Sequence, residues 1–194
     1  MLNDGFLFLL DSFLTHKNDF FSVILQKKFF VMSENFIISS SLDKKSIYES
    51  LLLQIPALIA DEPDIVANLA NLSAVFHQTF KWWWVGFYLV KEDFLVLGPF
   101  QGPVACTRIA FGKGVCGTAW KEKRSLLVPD VNDFSGHIAC SSISVSEIVV
   151  PLYNSSSEVV GVLDIDSEKF GLLDEADIYY LEQISTIIGK ALFA

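Results

Sequence analysis

All three cysteines of the chain, Cys106, Cys116 and Cys140, fall between Gly98 and Cys140. Three Gly-centred turns in that stretch, GPFQGP, GKGVCG and FSGH, lie close to a cysteine. Downstream, Glu147, Asp164 and Asp166 sit on short apolar runs. Thiols beside carboxylates suggest redox chemistry on sulfur. A thiolate is a strong nucleophile, and a carboxyl group crowded by others stays protonated long enough to act as a general acid.

The three thiols are not equivalent. Cys140 lies in the polar segment HIACSSIS, and a thiol on a loop is more accessible than one on a strand. It is the best nucleophile candidate of the three. Cys116 stands at the start of a short helix, GVCG, whose positive end could lend it thiolate character. Cys106 opens a β-branched run, CTRIAF, and by itself reads as core. Zinc is the rival use of three thiols, with His137 as a fourth ligand. Structural zinc ligands come in closely spaced pairs, and separations of ten and twenty-four residues do not fit. No metal or other cofactor is expected.

Asp164 and Asp166 are two residues apart in GVLDIDS and so share one face of a strand. Glu147 leads into another apolar run, IVVPL. A carboxylate within an apolar strand is costly unless it meets a partner. Loop amides would satisfy it, and so would a bound cationic group. Trp84 and Tyr88 share a strand face by parity and could wall a pocket for such a group, or simply pack in the core.

The elements that would position these residues follow from periodicity. Ile47, Leu51, Leu52, Ile55, Leu58 and Ile59 recur at helical spacing, with Pro56 as a potential kink or stop. Asp61-Glu62-Pro63 reads as the start of a second helix, with Ile65, Leu69, Leu72 and Phe76 on one face. Trp82–Val90 and Phe94–Leu97 form a hairpin across Lys91-Glu92-Asp93. Strands follow at Cys106–Phe111 and Ser125–Val128, with the short Gly114–Lys123 helix between them. Asp130–Ser144 is a long polar loop. Val145–Tyr153 and Val159–Ser167 make a second hairpin, and Asp174 caps a last helix with Ile178, Leu181, Ile184, Ile187 and Ile188 inward. Strands joined by hairpins imply an α+β fold, an antiparallel sheet with helices packed on one or both faces.

The whole chain sets outer limits. It has 194 residues, 52% of them hydrophobic and 19% charged, which suits one domain with a real core. A net charge of -9 argues against nucleic acid, and no basic cluster points to an anionic membrane. An odd, low cysteine count in a domain of ordinary size fits a reducing cytosol. Residues 1–31 are Phe-rich, with apolar runs broken by Asp4, Asp11, Lys17, Asp19, Lys27 and Lys28. Those runs fall short of the ~20 apolar residues of a membrane span. Met32 reads as a fresh start. Residues 1–31 are therefore expected to be an extension outside the fold, and 33–194 its single domain.

The segments WVGFYL, LGPFQGPVAC, GKGVCG, VPDVNDFSGHIAC, SEIVVPL and GVLDIDS resemble the free methionine-(R)-sulfoxide reductases, which are single GAF domains. The resemblance runs from about Ser33 to the C-terminus, with all three cysteines at the family's mutual spacing. Pro103-Val104, Ser135 and Ser141 depart from the usual Lys-Pro, Pro and Asp. The resemblance implies that Cys140 attacks the sulfoxide sulfur, that methionine leaves, and that a sulfenic acid remains on Cys140. Cys106 or Cys116 then closes a disulfide with it, and thioredoxin reduces that bond. Cys106 is the favoured partner, because the Gly-Pro-rich turn before it can yield. Glu147, Asp164 and Asp166 hold the substrate ammonium and protonate the sulfoxide oxygen, while Trp84 and Tyr88 face its methyl group. A cytoplasmic homodimer is implied as well. The alternative is a GAF module that binds a small ligand without catalysis.

Overall fold

The computed structural model of the chain describes residues 42–136, 138 and 143–194. The expected extension at residues 1–31 lies outside the described residues, as do His137 and Cys140.

Helix α1 spans Lys44–Ile59 behind Asp43, whose carboxylate accepts from the Ser46 amide at 2.8 Å. It buries Tyr48, Leu51, Ile55 and Ile59. Pro56 neither ends nor interrupts it as an element. The residue is exposed, so the carbonyl it leaves without an amide partner faces the solvent side. Helix α2 spans Ile65–Phe80 and starts later than Asp61-Glu62-Pro63 suggests. Pro63 disfavours helical backbone at Glu62. Asp64 is the cap instead, accepting from the Ala67 amide at 2.8 Å.

Six antiparallel strands follow: β1 Trp84–Lys91, β2 Phe94–Gln101, β3 Arg108–Ala110, β4 Leu126–Val128, β5 Ser146–Tyr153 and β6 Val159–Ser167. Their order across the sheet is β3-β2-β1-β6-β5-β4. Helix α3, Gly114–Glu122, joins β3 to β4, and α4, Glu175–Leu192, ends the chain behind the Asp174 capping box. The polar segment after β4 holds a 3-10 turn at Val131–Asp133, capped by Asp130, where sequence suggests only loop.

Strand β3 is shorter than expected, and Cys106 precedes it rather than opening it. The cause lies in β2. Its pairing with β1 shifts register between Gly86↔Phe100 and Tyr88↔Leu97, which sets Gly98 and Pro99 into a bulge. Pairing of β2 to β3 is confined to Phe94–Val96.

The sheet has two distinct faces. Val85, Phe87, Ile148, Val150, Leu163 and Ile165 lie on one face and are buried. Helices α1, α2 and α4 pack together there, against β1, β2 and β5. Lys44 ties α1 to the start of α4, reaching Asp174 at 2.9 Å and the buried Asp177 at 2.8 Å, and Tyr48 donates to Asp177 at 2.7 Å. The opposite face carries Trp84, Gly86 and Tyr88 from β1, Asp164 and Asp166 from β6, and Glu147 and Val149 from β5. Only α3 among the described helices packs there.

Gly86 is fixed by that second face. An added Cβ would meet Phe100 Cβ and, at 2.7 Å, Trp84 Cη2, whose ring stacks on Phe100 at 5.3 Å. Gly86→Ala should destabilise the domain by about 1–3 kcal/mol through overpacking. For a chain of this size that lowers Tm by roughly 2–12 °C, checked by thermal unfolding. An unchanged Tm would mean that Trp84 moves freely, against the packing described.

Candidate active site

The cleft on the second face is built by strand register. Glu147 pairs with Asp166, and Asp166 with Trp84, so three adjacent strands place these side chains in one cross-strand row. The next row holds Val149, Asp164 and Gly86. Glycine at the end of that row leaves its place to the Trp84 ring and Phe100, both of which an added Cβ would meet. Tyr88, two residues further along β1, completes the wall. The cleft is partly open to solvent and is lined by all five expected pocket residues: Trp84, Tyr88, Glu147, Asp164 and Asp166.

The aromatic wall holds more than the pocket. Trp84 Nε1 donates to the Pro103 carbonyl at 3.1 Å, and the Tyr88 hydroxyl donates to the Cys106 carbonyl at 2.9 Å. Both therefore fasten the segment that carries Cys106 to the rim of the cleft. Cys106 is disulfide-bonded, whereas Cys116 is a free thiol.

Cys116 is not an activated helix-end thiol. It lies in the first turn of α3, but its side chain is buried, with Sγ 3.8 Å from Glu147 Oε1. Burial raises its pKa well above the usual thiol value, and the Asp164 and Glu147 carboxyls push further in the same direction. Desolvation and adjacent carboxyls thus overcome the helix end. Cys116 Sγ and the carboxylate oxygens of Glu147 and Asp164 lie within 4.8 Å of one another.

The three carboxyl groups are unequal. Burial holds Glu147 and Asp164 well above the ordinary carboxylate range; for Glu147 the charges of Asp164 and Asp166 add to it, and for Asp164 that of Asp166. Burial also lifts Asp166, but only to about 6, because a hydrogen bond from Ser144 counteracts it. Ser144 Oγ donates to Asp166 Oδ1 at 2.5 Å. Asp166 therefore ionises most readily of the three, while Glu147 and Asp164 hold their protons to higher pH. The cleft can hold a cation at one place and give a proton at another. Asp164 Oδ1 is buried without a hydrogen-bond partner, which marks a place for a donor from a ligand.

Sequence reasoning missed Ser144. A serine among the polar residues of HIACSSIS has no spacing or periodicity to single it out, and its partner comes from β6. Ser144→Ala should push the Asp166 pKa upward, so that the loss of cation binding on acidification sets in at higher pH than in the wild type. At pH 6–7 the KM for an amine-bearing substrate should rise several-fold with kcat changed less, and Ser144→Thr should restore it. Identical KM–pH profiles would show that Ser144 does not set the charge of Asp166.

This architecture is the GAF fold. The GAF domain family model matches residues 62–192, and the chain belongs to that family. It is 43% identical to the free methionine-R-sulfoxide reductase of Saccharomyces cerevisiae, over 79% of this chain and 89% of the yeast protein. It is 44% identical to the Escherichia coli protein of the same name, over 78% of this chain and 92% of that one. The free methionine-R-sulfoxide reductase of Neisseria meningitidis, solved in complex with its substrate, superposes with a TM-score of 0.77 at 51% identity, covering 80% of this chain and 94% of that one. Within the GAF family the chain belongs with the free methionine-R-sulfoxide reductases.

Proposed function

We propose that the protein reduces free L-methionine-(R)-sulfoxide to L-methionine. The observation that carries this reading is the cleft itself: one ionised carboxylate, two proton-bearing carboxyls and an aromatic wall, with a disulfide-forming cysteine tethered at its rim. Asp166, backed by Asp164, takes the substrate ammonium. Glu147 gives a proton to the sulfoxide oxygen as Cys140 attacks sulfur. The oxygen passes to Cys140 as a sulfenic acid and methionine leaves. Trp84 and Tyr88 enclose the methyl end.

The sulfenic acid then condenses with the Cys106 thiol, releasing water and leaving a Cys106–Cys140 disulfide. Two features support this pairing over Cys116. Cys106 is engaged in a disulfide while Cys116 is free and buried. Ile138 and Ser144, on either side of Cys140 in sequence, both line the cleft. Thioredoxin, or a dithiol of its kind, would reduce the bond by exchange. The raised pKa values of Glu147 and Asp164 also relieve the repulsion that two more carboxylates would exert on a thiolate near them. We place the enzyme in the cytoplasm as a homodimer. No helix among the described residues is long and apolar enough to cross a membrane.

The test is thioredoxin-coupled NADPH consumption with separated epimers. The R epimer of free methionine sulfoxide should turn over. The S epimer, and methionine sulfoxide within a peptide that lacks the free ammonium, should not. Comparable rates on a peptide would refute the ammonium reading. Binding of the free R epimer without turnover would make the protein a ligand-sensing GAF module.

A further inference from the structure

We propose that the reduced protein holds a thiophilic divalent cation, of the zinc or cobalt class, on Cys116, Glu147 and Asp164, and that this cation competes with the substrate. The donor set differs from the three-thiol site that the cysteine spacing excludes. It combines one sulfur and two carboxylates from α3 and from the paired strands β5 and β6.

Geometry is the first argument. The three donor atoms lie within 4.8 Å of one another. Tetrahedral zinc, with Zn–S near 2.3 Å and Zn–O near 2.1 Å, sets its ligand atoms roughly 3.5 Å apart. The 3.8 Å between Cys116 Sγ and Glu147 Oε1 is already close to that. The second argument is independent of the first. Asp164 is only 6% exposed, lines the cleft, and has a buried oxygen, Oδ1, with no hydrogen-bond partner. Asp164 is grouped with a thiol and a second carboxyl, and a cation on all three would give that oxygen a partner. The donors also select the ion: a thiolate among carboxylates favours zinc, cobalt or cadmium over magnesium or calcium. Water would complete the four-coordinate set.

Binding requires the Cys116 thiol and both carboxyls to be deprotonated, and their protons go to solvent, so affinity should rise with pH. Asp166 and Tyr88 also face the cluster. Asp166 adds favourable charge once ionised, and Tyr88 stays neutral. That the cation blocks turnover rests on the function proposed above; that it binds does not.

The probe is Co²⁺ added to the reduced full-length chain, followed by absorbance. A near-ultraviolet sulfur-to-cobalt charge-transfer band is expected at one equivalent. It should persist in a Cys106→Ser/Cys140→Ser double variant, where Cys116 is the only thiol, and vanish in Cys116→Ser. Asp164→Asn, with its fold checked by circular dichroism, should weaken Co²⁺ and Zn²⁺ by about tenfold or more. A band that survives loss of Cys116, a band that depends on Cys140, or no band at all would overturn the proposal. Free methionine-(R)-sulfoxide should displace the metal. A band that it cannot displace would overturn the competition with substrate, while turnover measured without added metal tests the substrate assignment separately.

Discussion

Cys140→Ser is expected to abolish turnover while leaving the fold in place. A hydroxyl at that position is a poor nucleophile toward sulfoxide sulfur and cannot carry a sulfenic acid. Loss of the attacking group typically costs on the order of 10⁴-fold or more. Serine differs from cysteine by a single atom, so Tm should change little. The same variant tests the resolving step. In the wild type, one equivalent of substrate without reductant, followed by alkylation and peptide mass spectrometry, should yield a Cys106–Cys140 peptide. In Cys140→Ser no disulfide should form on addition of substrate. A dominant Cys116–Cys140 peptide would transfer the resolving role to the buried thiol. It would also require α3 to move, because Gly117 packs so tightly on β3 that a Cβ there would meet the Ala110 carbonyl at 2.5 Å. Near-normal activity in Cys140→Ser would remove Cys140 from the mechanism.

The second large effect is expected at Glu147. Glu147→Gln keeps the size and most of the hydrogen bonding of the side chain but has no acidic proton. The kcat should fall by roughly 10²–10⁴-fold, the usual contribution of a positioned general acid. KM should move far less, since Asp166 still receives the ammonium. The pH profile carries a second signature. With its pKa held high by burial and by Asp164, Glu147 keeps its proton to higher pH than an ordinary carboxyl. Wild-type kcat should therefore hold through neutrality and fall only as Glu147 ionises at higher pH, and the variant should lack that descending limb. A Glu147→Gln enzyme with wild-type kcat would assign the proton to another group, with Asp164 the nearest candidate.

Part of this site was legible in the chain and part was not, for identifiable reasons. Parity alone placed Trp84 with Tyr88 and Asp164 with Asp166, because side chains alternate strictly along a strand. The hairpins at Glu92-Asp93 and Asn154–Glu158 were marked by polar turn residues, so the antiparallel sheet followed. What parity does not give is register between strands. That Glu147 stands opposite Asp166, and Asp166 opposite Trp84, depends on where two hairpins close. Cys116 shows a different limit. Its place in a helix suggested activation, but the outcome depends on which strand face that helix covers. Ser144 and the bonds from Trp84 and Tyr88 to the Cys106 segment were invisible for the same reason. Each is a contact between elements, with no local pattern to record it. Pro56 and Pro63 show the converse: local rules that hold on average gave way to solvent exposure and to a better cap at Asp64.

The unpartnered oxygen of Asp164 and the buried carboxyls around it make the cleft a weak point in the fold. All three groups have pKa values raised by folding, so the folded chain holds protons that the unfolded chain would release. Stability from these groups is present at low pH and is lost as pH climbs past the ordinary carboxylate range, through about 6 for Asp166 and higher for the other two. At neutral pH the domain thus works on the unfavourable side of its own titration, with a deficit that only an occupant brings down. A ligand bearing an ammonium and an acceptor oxygen supplies what the cleft lacks, and its binding free energy adds directly to the stability of the folded state. If the proposed function holds, the protein would gain resistance to unfolding from its own substrate wherever methionine sulfoxide accumulates.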